Sequence, residues 1–78
     1  MSNDRPVPTK CWRNFLKHNG CEYKSTEASH EKWRCKQCLR SIIFWGSEKE
    51  IPFNHIKTNL ATMNVPKADF WAWVKINC

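Results

Sequence analysis

The chain lacks most of what marks the larger protein classes. Apolar runs such as Ile42 to Trp45 stop after a few residues, far below the ~20 that a membrane-spanning helix needs. A helical membrane protein is excluded on that ground, and no membrane partner is expected. Glycine occurs twice and proline four times, too seldom for a low-complexity or wholly disordered segment. There is no P-loop, no dinucleotide-binding glycine fingerprint and no Ser-His-Asp arrangement, so a binding protein is expected rather than an enzyme. The adjacent His30 and Glu31 are a thin basis for metal-assisted hydrolysis. Met1 to Lys10 is polar, carries Pro6 and Pro8, and lacks the apolar segment of a secretory leader. A reducing compartment, nucleus or cytoplasm, is the resulting expectation.

What is present fits one small domain. At 78 residues a hydrophobic core alone rarely supplies more than ~3–5 kcal/mol, and folds of this size usually add disulfides, a metal or a partner. Five cysteines are available: Cys11, Cys21, Cys35, Cys38 and Cys78. An odd number cannot all pair within one chain. With a reducing compartment expected, metal ligation is the better use for them.

Basic residues outnumber acidic ones by 13 to 7, a net +6. Residues 1–40 carry nine basic and four acidic side chains, residues 41–78 four and three. The excess in the first half points to a polyanionic partner, nucleic acid being the commonest. A solvated basic surface is the plain alternative.

Along the chain, residues 1–9 read as a flexible arm and 10–78 as a single zinc-binding domain. Lys10 to His18 has Cys11, Trp12, Phe15 and Leu16 at helical spacing, and Asn19-Gly20 supplies a stop or turn; a short helix is expected, with a short strand entering that turn as the alternative. Cys21 to Ser25 reads as a strand and Thr26 to Glu31 as a loop. Leu39 to Trp45 is the clearest strand, and Ile51 to Phe53 is at most an edge strand because of Pro52. Asn54 to Met63 places Ile56, Leu60 and Met63 on one helical face. Val65-Pro66 breaks that helix, and a second follows from about Lys67 to Ile76. The expected fold is α+β: a small zinc-stabilised antiparallel sheet or hairpin with one or two short C-terminal helices.

Cys35-Lys-Gln-Cys38 is the sharpest local feature. A C-x2-C turn lets two thiolates converge on one tetrahedral zinc ion. Two further ligands are needed. Cys21 and His55 are the leading candidates, with His18 and Cys11 as alternatives. Asn59 stands where a second histidine of an H-x3-H pair would be. Cys11 could equally be a small core residue, and Cys78 is expected to stay free.

Phe15-Leu16, Gly20-x2-Tyr23, Trp33-Arg34-Cys35, Cys38 and His55 together resemble FLYWCH-type zinc fingers, relatives of the WRKY domain. Two departures stand out: the gap between Cys35 and Cys38 is only two residues, and the closing H-x-H reads Phe53-Asn54-His55. Lys32 to Phe44 also resembles the second knuckle of transposase-type zinc ribbons, and Trp12-x2-Phe15 with the C-x2-C and His55 resembles a BED finger. The first resemblance implies a small antiparallel sheet, two Cys and two His on zinc, and DNA binding; all three imply zinc and nucleic acid, in mobile-element or regulatory settings such as transcription regulation.

Lys32, Arg34, Lys36 and Arg40 surround the C-x2-C turn with no acidic residue among them. They are the expected phosphate contacts, with Lys17, Lys24 and Lys57 further out. Trp33 is a candidate for stacking on a base or for covering the metal site. The rival reading is a zinc-stabilised protein-interaction module, or a small viral inhibitor. It would dock a protein or a second copy through Phe70, Trp71 and Trp73.

Overall fold

Three of the four prolines stand directly before a helix. Pro8, Pro52 and Pro66 have φ of −54°, −56° and −64° with ψ near 140°. The ring fixes φ at a value suited to helix entry, and the missing N–H costs nothing there. The computed structural model describes residues 4–78, in the order β1 (Val7–Pro8), α1 (Thr9–His18), β2 (Glu22–Glu27), β3 (His30–Arg34), β4 (Ile42–Trp45), β5 (Glu50–Ile51), α2 (Phe53–Met63) and α3 (Lys67–Asn77). The class is α+β. The zinc-stabilised part of that expectation is not shown.

Two helix ends close with the same device. After α1, Gly20 takes φ 77° and Cys21 N–H donates to Leu16 O at 3.0 Å; after α2, Asn64 takes φ 59° and Val65 N–H donates to Leu60 O at 3.0 Å. Both satisfy terminal carbonyls that would otherwise be orphaned.

Strands β2, β3 and β4 form an antiparallel sheet in that order, and β1 pairs with β5 in a second, two-stranded one. Thr26 to Glu31, expected to be a loop, is mostly strand. The hairpin turns through Ala28 and Ser29, with Ala28 left-handed at φ 54°.

The arm expected over residues 1–9 is drawn into the body wherever it is described. Val7 is buried and pairs with Ile51, and Thr9 donates from its N–H to Lys49 O at 2.8 Å. The Arg5 guanidinium lies 4.5 Å from the Trp71 ring centroid. Met1 to Asn3 lie outside the described residues.

The core is aromatic. Trp12 is fully buried and packs edge-on against Phe44 and Phe70, and Phe15 packs edge-on against Phe70 and Trp73. Full burial of each such side chain contributes roughly 1.5–3 kcal/mol. Trp12 Nε1 has no hydrogen-bond partner among the described residues, a cost of roughly 1–3 kcal/mol.

Two disulfides reinforce this core. Cys11–Cys78 joins α1 to the end of α3 across 67 residues, with Cα atoms 6.1 Å apart. Cys21–Cys35 joins the start of β2 to the end of β3 across 14 residues, with Cα atoms 4.1 Å apart. Closing such loops restricts the unfolded chain by about 4 and about 3 kcal/mol respectively on the chain-entropy account. Cys78 is therefore bonded, contrary to expectation. The expected reducing compartment is also corrected: two bonded pairs belong to an oxidising, extracellular or secreted setting. Small domains use such bonds where the core alone is too small.

Candidate nucleic-acid interface

Neighbouring residues of a strand point to opposite faces of a sheet. In β3, Glu31 and Trp33 point inward, while His30, Lys32 and Arg34 point outward. In β4, Ile42 and Phe44 are buried, while Ile43 and Trp45 are about half exposed. The register sets Lys32 beside Ile43 and His30 beside Trp45. The His30 and Trp45 rings meet edge to face, with centroids 5.1 Å apart. Trp45 on this outer face is 49% exposed.

A shallow depression of about 160 Å³ lies on the outer face, lined by Ser25, Glu27, His30, Lys32 and Ile43. Beyond Trp45, a groove of about 390 Å³ is lined by Trp45, Glu48, Glu50, Ile51, Pro52 and His55. His30 borders the depression, and Trp45, its cross-strand partner, borders the groove. His55 reaches the groove from the first turn of α2.

The inner face is chemically closed. Arg13 Nε donates to both Glu31 oxygens at 3.1 Å, Arg13 Nη2 donates to Glu31 Oε2 and, at 2.9 Å, to Gly46 O, and Trp33 Nε1 donates to Glu31 Oε1 at 3.1 Å. The Arg13 guanidinium, with help from the Trp33 indole, holds the Glu31 carboxyl below its ordinary range against the opposing pull of burial; the same pairing raises Arg13. A Cβ at position 46 would be driven into the Glu31 carboxylate, so a larger residue there must displace the Glu31 side chain from Arg13. Glu31 and His30 face opposite sides of the sheet and do not converge on a common point.

Lys32, Arg34, Lys36 and Arg40 are all exposed. Lys32 and Arg34 share the outer face, and Arg34 Nη1 donates to Leu39 O at 3.3 Å, laying its head over the loop that carries Lys36 and Arg40. Leu39 at the tip of that loop is 96% exposed. Trp33 is not available for stacking. It is buried on the inner face with its indole N–H committed to Glu31. Trp45 is the aromatic that the outer face offers instead. The unbroken apolar run Ile42 to Trp45 was the signal: a strand apolar on both phases must show one of them unless both faces are covered.

The expected metal ligands are not gathered into a site. Cys21 and Cys35 are bonded to each other, Cys11 is bonded to Cys78, and Cys38 is free and buried. The Cys38 N–H donates to Cys35 O at 3.1 Å, closing the C-x2-C turn. The His18 ring packs against Phe15 and Trp73, and His55 lines the groove beside Trp45. Asn59 has a structural task, donating from Nδ2 to Ile43 O at 3.2 Å and tying α2 to β4. Among the described residues no group of three or more His, Cys, Asp or Glu side chains could hold a metal ion. With Cys21 paired to Cys35 and Cys11 to Cys78, Cys38 is the one free thiol among the described residues.

The aromatics of α3 turn inward. Phe70 is fully buried, Trp71 stacks on Phe53 with centroids 5.3 Å apart, and Trp73 packs on Phe15 at 5.2 Å. Asp4 accepts from Trp71 Nε1 and from Lys67 Nζ, both at 3.3 Å. These three residues hold the helix to the body rather than forming a free ridge. No helix among the described residues is long and apolar enough to cross a membrane.

No protein-family model, curated protein or solved structure matches this chain. The zinc-finger, zinc-ribbon and BED resemblances gain no support from these comparisons.

Proposed function

We propose that this chain is a disulfide-stabilised binding module for single-stranded nucleic acid, and that the outer face of the three-stranded sheet is its binding surface. The observation that carries this reading is the half-exposed Trp45, set opposite His30 and on the same sheet face as Ile43 and the exposed cations Lys32 and Arg34. Single strands are held by two features together: cations that track phosphates and aromatic faces on which bases stack. An open antiparallel sheet that shows an aromatic ring is a recurring platform for this. Lys36 and Arg40 extend the cationic edge along the loop after β3. A duplex groove reader would need a protruding helix or ribbon. Here the helices are packed inward instead.

The reading needs neither zinc nor a catalytic step. The disulfides set it in an oxidising context, so transcription regulation is not part of it. Docking of a protein through α3 is disfavoured by the burial of Phe70 and the packing of Trp71 and Trp73.

The test is a salt titration of oligonucleotide affinity. Binding of a short oligouridylate should weaken with rising salt, with a slope of about −0.7 per phosphate neutralised. The double variant Lys32→Ala/Arg34→Ala should flatten that slope, and Trp45→Ala should weaken binding at every salt concentration. Affinity that ignores salt and both variants would refute the reading.

A further inference from the structure

We propose that the groove behind Trp45 takes one unpaired guanine base, read on its Watson–Crick edge by Glu48 and Glu50. This rests on the single-strand reading above and adds to it a base preference. The groove falls within the ~300–1,000 Å³ range typical of small-molecule sites. Trp45 lines it, with Ile51 and Pro52 as apolar neighbours. A flat aromatic wall with apolar neighbours suits the faces of a planar base.

The rim selects which base. Glu48 lies on the turn between β4 and β5, with its main chain held there: its carbonyl accepts from Thr9 Oγ1 at 2.5 Å and its N–H donates to Trp45 O at 3.4 Å. Glu50 lies in β5 opposite Pro8. It also borders a second depression lined by Arg5 and Lys75, so it stands on the ridge between the two. Neither carboxylate has an ion-pair or hydrogen-bond partner among the described residues. In a chain of net charge +6, two unpaired carboxylates at the mouth of an apolar groove are an exception to the surrounding charge.

An ionised carboxylate only accepts hydrogen bonds. Guanine alone presents two adjacent donors, N1–H and the N2 amine, along one edge. Adenine and cytosine present one amine next to a ring acceptor, and uracil one N–H between two carbonyls. An acceptor facing a carboxylate leaves both unpaired, which is why sites built on hydrogen bonds reject poor matches strongly. The cations of the sheet face hold the phosphates, and the acidic rim discriminates the base.

The experiment is fluorescence anisotropy with labelled heptamers, uridine throughout except for a central guanosine, inosine, adenosine or uridine. The guanosine heptamer should bind at least about fivefold more tightly than the all-uridine one, the low end of discrimination by a bidentate contact. Inosine, which lacks the N2 amine, should fall between them. The double variant Glu48→Gln/Glu50→Gln, checked for folding by circular dichroism, should bring the guanosine-to-uridine ratio close to one. Equal affinity for all four heptamers would overturn the guanine site while leaving the single-strand reading intact. A guanosine preference that survives the double variant would also overturn it. So would carboxylate-dependent binding of a lysine-rich peptide without any base preference. If no heptamer binds, both readings fall together.

Discussion

The two faces of the three-stranded sheet are built from alternate residues of the same strands, yet they differ in almost every physical respect. On the inner face, Glu31 and Trp33 are locked to each other and to Arg13, and Ile42 and Phe44 are packed into the aromatic core. On the outer face, the interleaved His30, Lys32, Arg34, Ile43 and Trp45 are exposed, and the Trp45 ring meets the His30 ring edge to face. The difference teaches where stability and function divide. Residues one position apart can be asked separately which of the two they serve.

Among single substitutions, the largest effect should come from the adjacent pair Phe44 and Ile43. Phe44→Ala should cost about 3–5 kcal/mol, the usual range for truncating a buried aromatic. Ile43→Ala, on the open face, should cost under about 1 kcal/mol. Urea denaturation of the two variants measures the contrast directly, and similar losses would erase the distinction between the faces.

Opening both disulfides together exceeds that contrast. A dithiol reductant should lower the melting temperature by more than about 25 °C, from about 7 kcal/mol of loop closure and ~4–8 °C per kcal/mol in a domain of this size. A metal chelator should leave it unchanged. Calorimetry with each reagent separates the two, and the opposite pattern would restore the zinc account.

The Arg13–Glu31 pair comes third. Arg13→Ala should cost about 2–3 kcal/mol by stranding a buried carboxylate. Because Glu31 is held below its ordinary value of 4.5, its contribution is fully present above that value and is lost as pH falls through the lower folded value. Wild-type stability should therefore decline in acid, and Glu31→Gln should flatten the decline. Melting curves from pH 6 to pH 2 provide the check. The smallest effect is on the outer face, where Lys32→Ala should change stability by no more than about 0.5 kcal/mol and yet reduce the salt dependence of oligonucleotide binding.

Much of the fold is legible in the sequence. The apolar spacing in Lys10 to His18 and in Asn54 to Met63, punctuated by Pro8, Gly20, Pro52 and Pro66, marks the helices within a residue or two. The β2–β3 hairpin is not legible as such. Its turn uses Ala28 in a left-handed conformation where glycine or asparagine is the usual signal. The cysteine pairing is not legible either, since spacing says nothing about which thiols a fold brings together. The C-x2-C motif invited a metal because Cys35 lies close to Cys38 in sequence, whereas in space its partner is Cys21.

The candidate site was half visible. Lys32, Arg34, Lys36 and Arg40 stand out as a cationic run and are exposed. The choice of tryptophan depended on strand phase. Trp33 and Trp45 are the same residue type at strand positions, and only the layer packed beneath the sheet decides which one faces out.

The most direct test of the account is a backbone and indole NMR titration of the oxidised protein with a single-stranded oligonucleotide. Shifts should concentrate at the Trp45 indole and at the amides of His30, Lys32, Arg34 and Ile43, with the Trp71 and Trp73 indoles unmoved. Shifts centred on α3, or none at saturating oligonucleotide, would contradict it.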